Sequence, residues 1–429
     1  MSAASEGGGR AVYASAPGKV ILAGEHAAVH GHPALVAALA PGVEVRLRAV
    51  ADNGEDADAG LGLELVLEAG RRRIDARLGA AQAVALADRA ARAWKAFAAG
   101  DGPFVPLRRL VDGHPEAVAF AVVALVESWR RWSTATPGGD SGAAAAVRET
   151  WPLPALDLQV TSALPLGAGC GSSAAVAAAI GLAVREHLGG IGRAGSPVDG
   201  SGAARGGDDL RQLEDLVHRV ERRQHGRPSG IDGATVLRGG VLFARRLEDS
   251  GDAGGGGSEG PARWRFESLE DPGGLLRHLR IVSSGGRPEP TGEVVAAVQR
   301  RLEEATGGQA TRSALRRIGE TTEEMRAALR TGDGGRWGEG IVRCQEALVE
   351  IGVVPDEVRR RVDELKRAGL PAKISGAGSL RGPGAGLVLI YDPKVEADRL
   401  IEEAGFVELA SDLGCAGVHS LAAEPGDAP

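Results

Sequence analysis

A strand that runs into glycines and then into an alanine-rich helix constrains this chain more than any other feature. Residues 157–164, DLQVTSAL, alternate as a strand does, and residues 173–188 read as a helix. Between them lies PLGAGCGSS, with glycines at 167, 169 and 171 followed by Ser172 and Ser173. Such a turn leaves the first N–H groups of the helix free, and glycine lets an anion approach the backbone closely. No Gly-Lys-Ser/Thr follows, so this is not a Walker A loop. The same residues also read as a plain glycine-rich turn capped by Ser172.

Three more segments stand out. SAPGKVILAGEHAAVHGHPAL (15–35) places Lys19 after a Pro-Gly pair and before an apolar strand. By itself that is an exposed lysine on a strand edge. VERRQHGRPSGIDGATVLRGGVLF (220–243) begins in a helix over 209–224 with an apolar stripe at Leu210, Leu213, Leu216, Val217 and Val220. Glu221 lies at the margin of that stripe, four residues after Val217, so its carboxylate can reach inward. Asp232 falls in a turn built by Gly226, Pro228 and Gly230, where an aspartate ordinarily caps its own backbone. AKISGAGSLRGPGAGLVLIY (372–391) is a second glycine-rich turn between a helix and a strand.

The rest of the pattern mixes helices and strands in both halves, an α+β arrangement. Strands are expected over 11–16, stopped by Pro17 and Gly18, within 34–50 after a Pro-Gly turn at 41–42, over 241–246 and near 279–284. Helices are expected over 79–99 and 115–132, then near 290–304, 309–330, 335–351 and 355–368. Residues 134–147 and 189–207 read as an insertion and a loop, and GDAGGGGSEG (251–260) as a linker. A chain of 429 residues exceeds one ordinary core, so two domains are expected, 11–250 and 261–425. A net charge of −7 argues against nucleic acid or an anionic membrane as the main partner. No apolar run reaches the roughly 18 residues of a membrane span. Cys170, Cys344 and Cys415, scattered and odd in number, suit a reducing cytoplasm better than a disulfide framework. The excess of alanine and glycine reads as coding bias.

Taken together and in order, APGK, PLGAGCGSSAA, HGRPSGID and GAG resemble the galactokinase–homoserine kinase–mevalonate kinase–phosphomevalonate kinase (GHMP) superfamily. Within it, GKVILAGEHAAVHG and HGRPSGID resemble the mevalonate kinases. The resemblance implies an N-terminal domain like ribosomal protein S5 domain 2, a ferredoxin-like C-terminal domain, and a site in the cleft between them. It implies ATP- and Mg²⁺-dependent phosphorylation of mevalonate. Gly167, Ala168, Gly169, Cys170, Gly171, Ser172 and Ser173 would hold the nucleotide phosphates, with Ser162 also touching nucleotide. Ser173 and Glu221 would hold Mg²⁺, a cation that favours oxygen donors. Asp232 would face the acceptor hydroxyl, with Lys19 beside both; Glu25 and His26 would lie near the substrate.

Two departures qualify this picture. Cys170 stands where the family usually has leucine, and SLRGP (379–383) interrupts a run that relatives fill with glycine, which puts the approach of that loop to phosphate in question. Phosphomevalonate, or another acceptor of the superfamily, is the nearest alternative substrate. A catalytically dead nucleotide sensor on the same fold is the alternative of another class. A homodimer is left open.

Overall fold

The computed structural model describes residues 10–50, 62–110, 113–133, 155–165, 168–192, 207–247, 264–286, 289–304, 307–409 and 412–421. Two long antiparallel strands, β1 (Val12–Ala23) and β2 (Ala34–Ala49), form the spine of a large sheet. Both pass through a Pro-Gly pair that the sequence marks as an interruption. The pairs lie opposite each other, and the register shifts between Ala16 and Gly18. Proline here bends a strand instead of ending it, as bulges do. The bend needs a bare backbone: a Cβ on Gly42 would lie 2.0 Å from the Ala16 carbonyl oxygen.

The first half of β2 pairs with β6 (Val241–Arg246) and the second half with β5 (Leu156–Ser162). Beyond β5 lies a hairpin that the sequence reading passed over, β3 (Gly62–Ala69) and β4 (Arg72–Gly79), with β3 parallel to β5. β4 keeps its charged residues in solvent and little of its surface in the core, so its apolar signal is weak. β7 (Trp264–Leu269) pairs with β6, β12 (Asp412–Leu413) with β2, and β13 (His419–Leu421) with β1. These three strands lie beyond residue 261, yet they complete the first sheet. Sheet membership therefore departs from the expected division into 11–250 and 261–425.

The first sheet packs against α1 (Ala80–Ala99), α2 (Glu116–Ser133), α3 (Ser172–Gly192) and α5 (Ile231–Arg238), and α4 (Gly207–His225) packs on those helices. α3 packs on β1 and β2 and is flanked by α2 and α4. That place explains its alanines: a Cβ on Gly181 would come within 2.9 Å of Leu216, so only small side chains fit so close a packing. Here the alanine excess has a structural use.

The second unit runs β8 (Leu279–Ser283), four helices, β9 (Ala372–Ser375), β10 (Leu387–Tyr391), α10 (Asp398–Glu403), β11 (Val407–Glu408). The four helices are α6 (Thr291–Glu303), α7 (Gly308–Thr331), α8 (Gly334–Glu350) and α9 (Asp356–Arg367). The sheet order β11-β8-β10-β9, with antiparallel neighbours, is the split βαβ arrangement of a ferredoxin-like domain. The expected insertion at 134–147 and linker at 251–260 lie outside the described residues. So does the expected loop from 193 to 206, while residues up to 192 continue α3.

Because Gly42 meets backbone and not a flexible side chain, Gly42→Ala has to move one of the two central strands. A loss of about 3 kcal/mol or more in unfolding free energy is expected, beyond ordinary overpacking. Chemical denaturation of the variant checks this.

Candidate active site

The glycine-rich turn opens α3 as expected. Gly169 and Gly171 take positive φ, 80° and 69°. Gly171 is required twice, since a Cβ there would also stand 2.8 Å from Cγ of Lys19. The Cys170 side chain is buried in the core, and burial pushes its thiol up to about 11. A cysteine therefore fills the family's leucine position as a small apolar group. Its carbonyl accepts a 2.8 Å hydrogen bond from the Lys19 amide, which ties the turn to β1. Gly167 lies outside the described residues. Ser162 ends β5, and its buried hydroxyl oxygen accepts from the Leu164 amide at 3.2 Å. The structure thus gives Ser162 a turn-holding bond, where the resemblance implied a nucleotide contact.

Lys19 is not an exposed strand-edge lysine. It is 4% exposed, and its Nζ stands 3.1 Å from Oδ1 of Asp232. Asp232, expected in a turn, belongs to the first turn of α5, whose N-cap is Gly230. A carboxylate is favoured at that end of a helix. Glu221, on the last turns of α4, is buried beside them, and its Oε1 has no hydrogen-bond partner. Burial raises the Glu221 pKa and the Asp232 charge raises it further, against the His225 imidazole, the Ser173 hydroxyl and Lys19. His225 joins the group: its Nε2 lies 3.3 Å from Oγ of Ser173 and 3.9 Å from Oε1 of Glu221. His225 was not singled out in the sequence, although its i,i+4 spacing from Glu221 places both on one helix face. Five polar side chains from β1, α3, α4 and α5 thus form one connected group.

The chain is similar to known proteins both in sequence and in fold. The GHMP kinases N terminal domain matches residues 141–240, and the GHMP kinases C terminal domain matches residues 325–408. The chain carries both domains of the GHMP kinases. It is similar to the mevalonate kinase of Mus musculus, 28% identical over 438 residues and covering 96% of each chain. Its fold is similar to that of the Lin0012 protein from Listeria innocua, with a TM-score of 0.62, 16% identity and coverage of 96% and 100%. It is also similar to L. major mevalonate kinase in complex with R-mevalonate, with a TM-score of 0.58, 17% identity and 94% of each chain covered.

Glu25 and His26 sit differently from expectation in this GHMP kinase. Both are buried at the contact between the two units. Glu25 forms an ion pair with Lys373 of β9, with both side chains fully buried. His26, at φ 57°, brings its Nε2 within 2.9 Å of the Ala377 carbonyl, and burial pulls its pKa down to about 4. Neutral imidazole is therefore the state there, donating through Nε2. Both residues join the domains, and Lys19 also acts on the Glu25 carboxylate through its charge.

The last glycine-rich loop of the kinase divides into two parts. Its end is held close to the first loop: Ser284 donates to the Gly386 carbonyl through both its amide and its hydroxyl, at 2.9 and 2.8 Å. A Cβ on Gly386 would lie 3.1 Å from the Ala168 carbonyl oxygen. The intervening SLRGP stretch turns onto Glu289, whose carboxylate accepts from the Ser379 hydroxyl at 3.0 Å and from the amides of Leu380 and Arg381. The bulky insertion is thus held by an internal carboxylate, while the closing glycine still reaches the first loop. Glu289 is another residue that the sequence alone did not single out.

Glu221 supplies a stability test. Its folded-state pKa is raised, so ionisation is disfavoured in the native state, and the penalty grows as pH rises through that pKa. Glu221→Gln removes the buried charge. Without ligands at pH 7–8 the variant is expected to melt about 2–4 °C higher, corresponding to about 1 kcal/mol. The gain should vanish at acid pH, where both forms are neutral. Differential scanning calorimetry across pH measures it.

Proposed function

We propose that this GHMP kinase transfers the γ-phosphate of ATP to the hydroxyl of mevalonate, giving 5-phosphomevalonate and ADP. The observation that carries the reading is the buried Lys19 ammonium 3.1 Å from the Asp232 carboxylate, next to a glycine-rich helix N-terminus. Asp232 orients the acceptor hydroxyl and takes its proton as that oxygen bonds to the γ-phosphorus and the bond to the β-phosphate bridging oxygen breaks. Lys19 offsets negative charge on the acceptor oxygen and on the transferring group. The first turn of α3 and the open backbone at Gly169 and Gly171 receive phosphate oxygens.

The residues present fit a magnesium ion. Glu221 Oε1 is a buried carboxylate oxygen without a partner, and Ser173 adds a hydroxyl oxygen beside it. No group of three or more His, Cys, Asp or Glu among the described residues could hold a metal by itself. That suits an ion bound by one or two protein oxygens, with phosphate and water supplying the others. When bound, Mg²⁺ would neutralise phosphate charge.

Mevalonate as the acceptor rests on the near full-length similarity to the mouse mevalonate kinase. Phosphomevalonate is the alternative acceptor. A dead sensor would have no need to keep Lys19, Asp232 and Glu221 together, so their assembly argues for catalysis. No helix among the described residues is long and apolar enough to cross a membrane, and all three cysteines are free. Both facts support the reading of a cytoplasmic enzyme.

ADP release with mevalonate, phosphomevalonate, galactose and homoserine offered in parallel tests the acceptor; release with phosphomevalonate alone would overturn the assignment. Asp232→Asn is expected to cut kcat by about 10²–10⁴-fold with little change in ATP affinity. A turn-capping role predicts the reverse, a lower melting temperature with nearly normal turnover. Measuring both on one sample decides between them.

A further inference from the structure

β1 carries Lys19, yet β13 covers its outer edge only along Tyr13, Ala14 and Ser15. Further along that edge the backbone groups need other partners, because an unpaired buried amide or carbonyl costs about as much as a lost hydrogen bond. The Lys19 amide finds the Cys170 carbonyl. Two residues on, Ile21 finds a side chain from the other domain. Its amide donates to Oγ of Ser375 at 3.0 Å, and the same hydroxyl donates back to the Ile21 carbonyl at 2.9 Å. One hydroxyl therefore serves as both acceptor and donor, replacing a residue of a neighbouring strand. Lys373 adds to this from the same strand, with Nζ 3.4 Å from the Ile21 carbonyl and paired to Glu25.

We propose that Ser375, supported by Lys373, is a positioning residue for Lys19: the C-terminal domain holds the β1 edge and so fixes where the lysine Nζ stands. The inference rests on the catalytic reading of Lys19 given above. Residues 19 and 21 present their backbone groups to the same edge and their side chains to the same face. A shift of Ile21 is therefore passed directly to Lys19. The domain-joining contact and the reactive group lie on one short piece of strand. A misplacement of about 1 Å can cost as much as 10²-fold in rate.

Ser375→Ala removes both bonds, while Ser375→Thr keeps the hydroxyl. The alanine variant is expected to lose about 10–100-fold in kcat, with KM for ATP and mevalonate changed less than threefold, and the threonine variant to recover most of it. The decisive comparison is a double-mutant cycle with Lys19→Met. If Ser375 acts through Lys19, Ser375→Ala costs little more in the Lys19→Met background. Additive losses would overturn the proposal, as would a folded Ser375→Ala enzyme within twofold of the parent kcat. If the unmodified protein phosphorylates none of the four acceptors, the catalytic reading fails. The clamp is then read separately, by hydrogen exchange along β1. Faster exchange at the Ile21 and Lys19 amides in Ser375→Ala, with the β1 amides held by β13 unchanged, supports the clamp; unchanged exchange at either of the two overturns it.

Discussion

The geometry of the site depends on how the outer edge of β1 is satisfied. A strand in the middle of a protein cannot leave its N–H and C=O groups bare. Here the partners come from three places: a terminal strand, the glycine-rich turn and the second domain. The turn and the second domain each contribute a component of the reaction centre as they do so. The turn brings the α3 N-terminus to Lys19, and the second domain brings its own glycine-rich loop against Ala168. The same hydrogen bonds that satisfy backbone therefore bring Lys19 and the two glycine-rich loops together.

Charge burial sets a second constraint. The centre sets a buried lysine and a buried glutamate beside a partly exposed aspartate and serine and an exposed histidine. Lys19 and Asp232 answer each other, but Glu221 has an oxygen with no partner and an elevated pKa. A group held so is costly to the apo protein and useful to a ligand that brings positive charge. Glu25 is buried just as deeply, with one oxygen unpartnered and its pKa raised by burial, but its other oxygen is paired with Lys373 and the pair joins the domains. Similar residue types in similar burial divide into different roles according to whether a lysine already pairs with the carboxylate.

Much of the site was legible because its chemistry is local in sequence. The helix start after the glycines and the stripe ending at Val220 each lie in one short stretch of chain, and both read correctly. What failed was reading across elements. Lys19 looked exposed because nothing near it in sequence reveals that α3 and α5 close over β1. Asp232 looked like a turn cap because α5 directly follows two glycines and a proline. Pro17 and Pro41 looked like strand ends because a bulge shared by two strands has no one-strand signature. Lys373 and Ser375 could have been suspected from AKIS alone, a buried four-residue strand holding two polar side chains. Their partners, some 350 residues earlier, could not. The ferredoxin-like order was carried by the resemblance; periodicity by itself gave strands and helices without their order.

The return of β12 and β13 to the first sheet has a consequence for biosynthesis. The ribosome delivers β1 and β2 before the ferredoxin-like unit, and the strand that covers the start of β1 only after it. Throughout translation of the ferredoxin-like unit, the first sheet carries an open edge, which is a hazard for pairing with other chains. The second unit is thus less a successor to the first than an excursion from it, and its completion closes the first. A nascent chain stalled anywhere inside that excursion would have nearly all of its N-terminal core but no finished edge. Quality-control machinery that senses unpaired strands would recognise such a chain as incomplete.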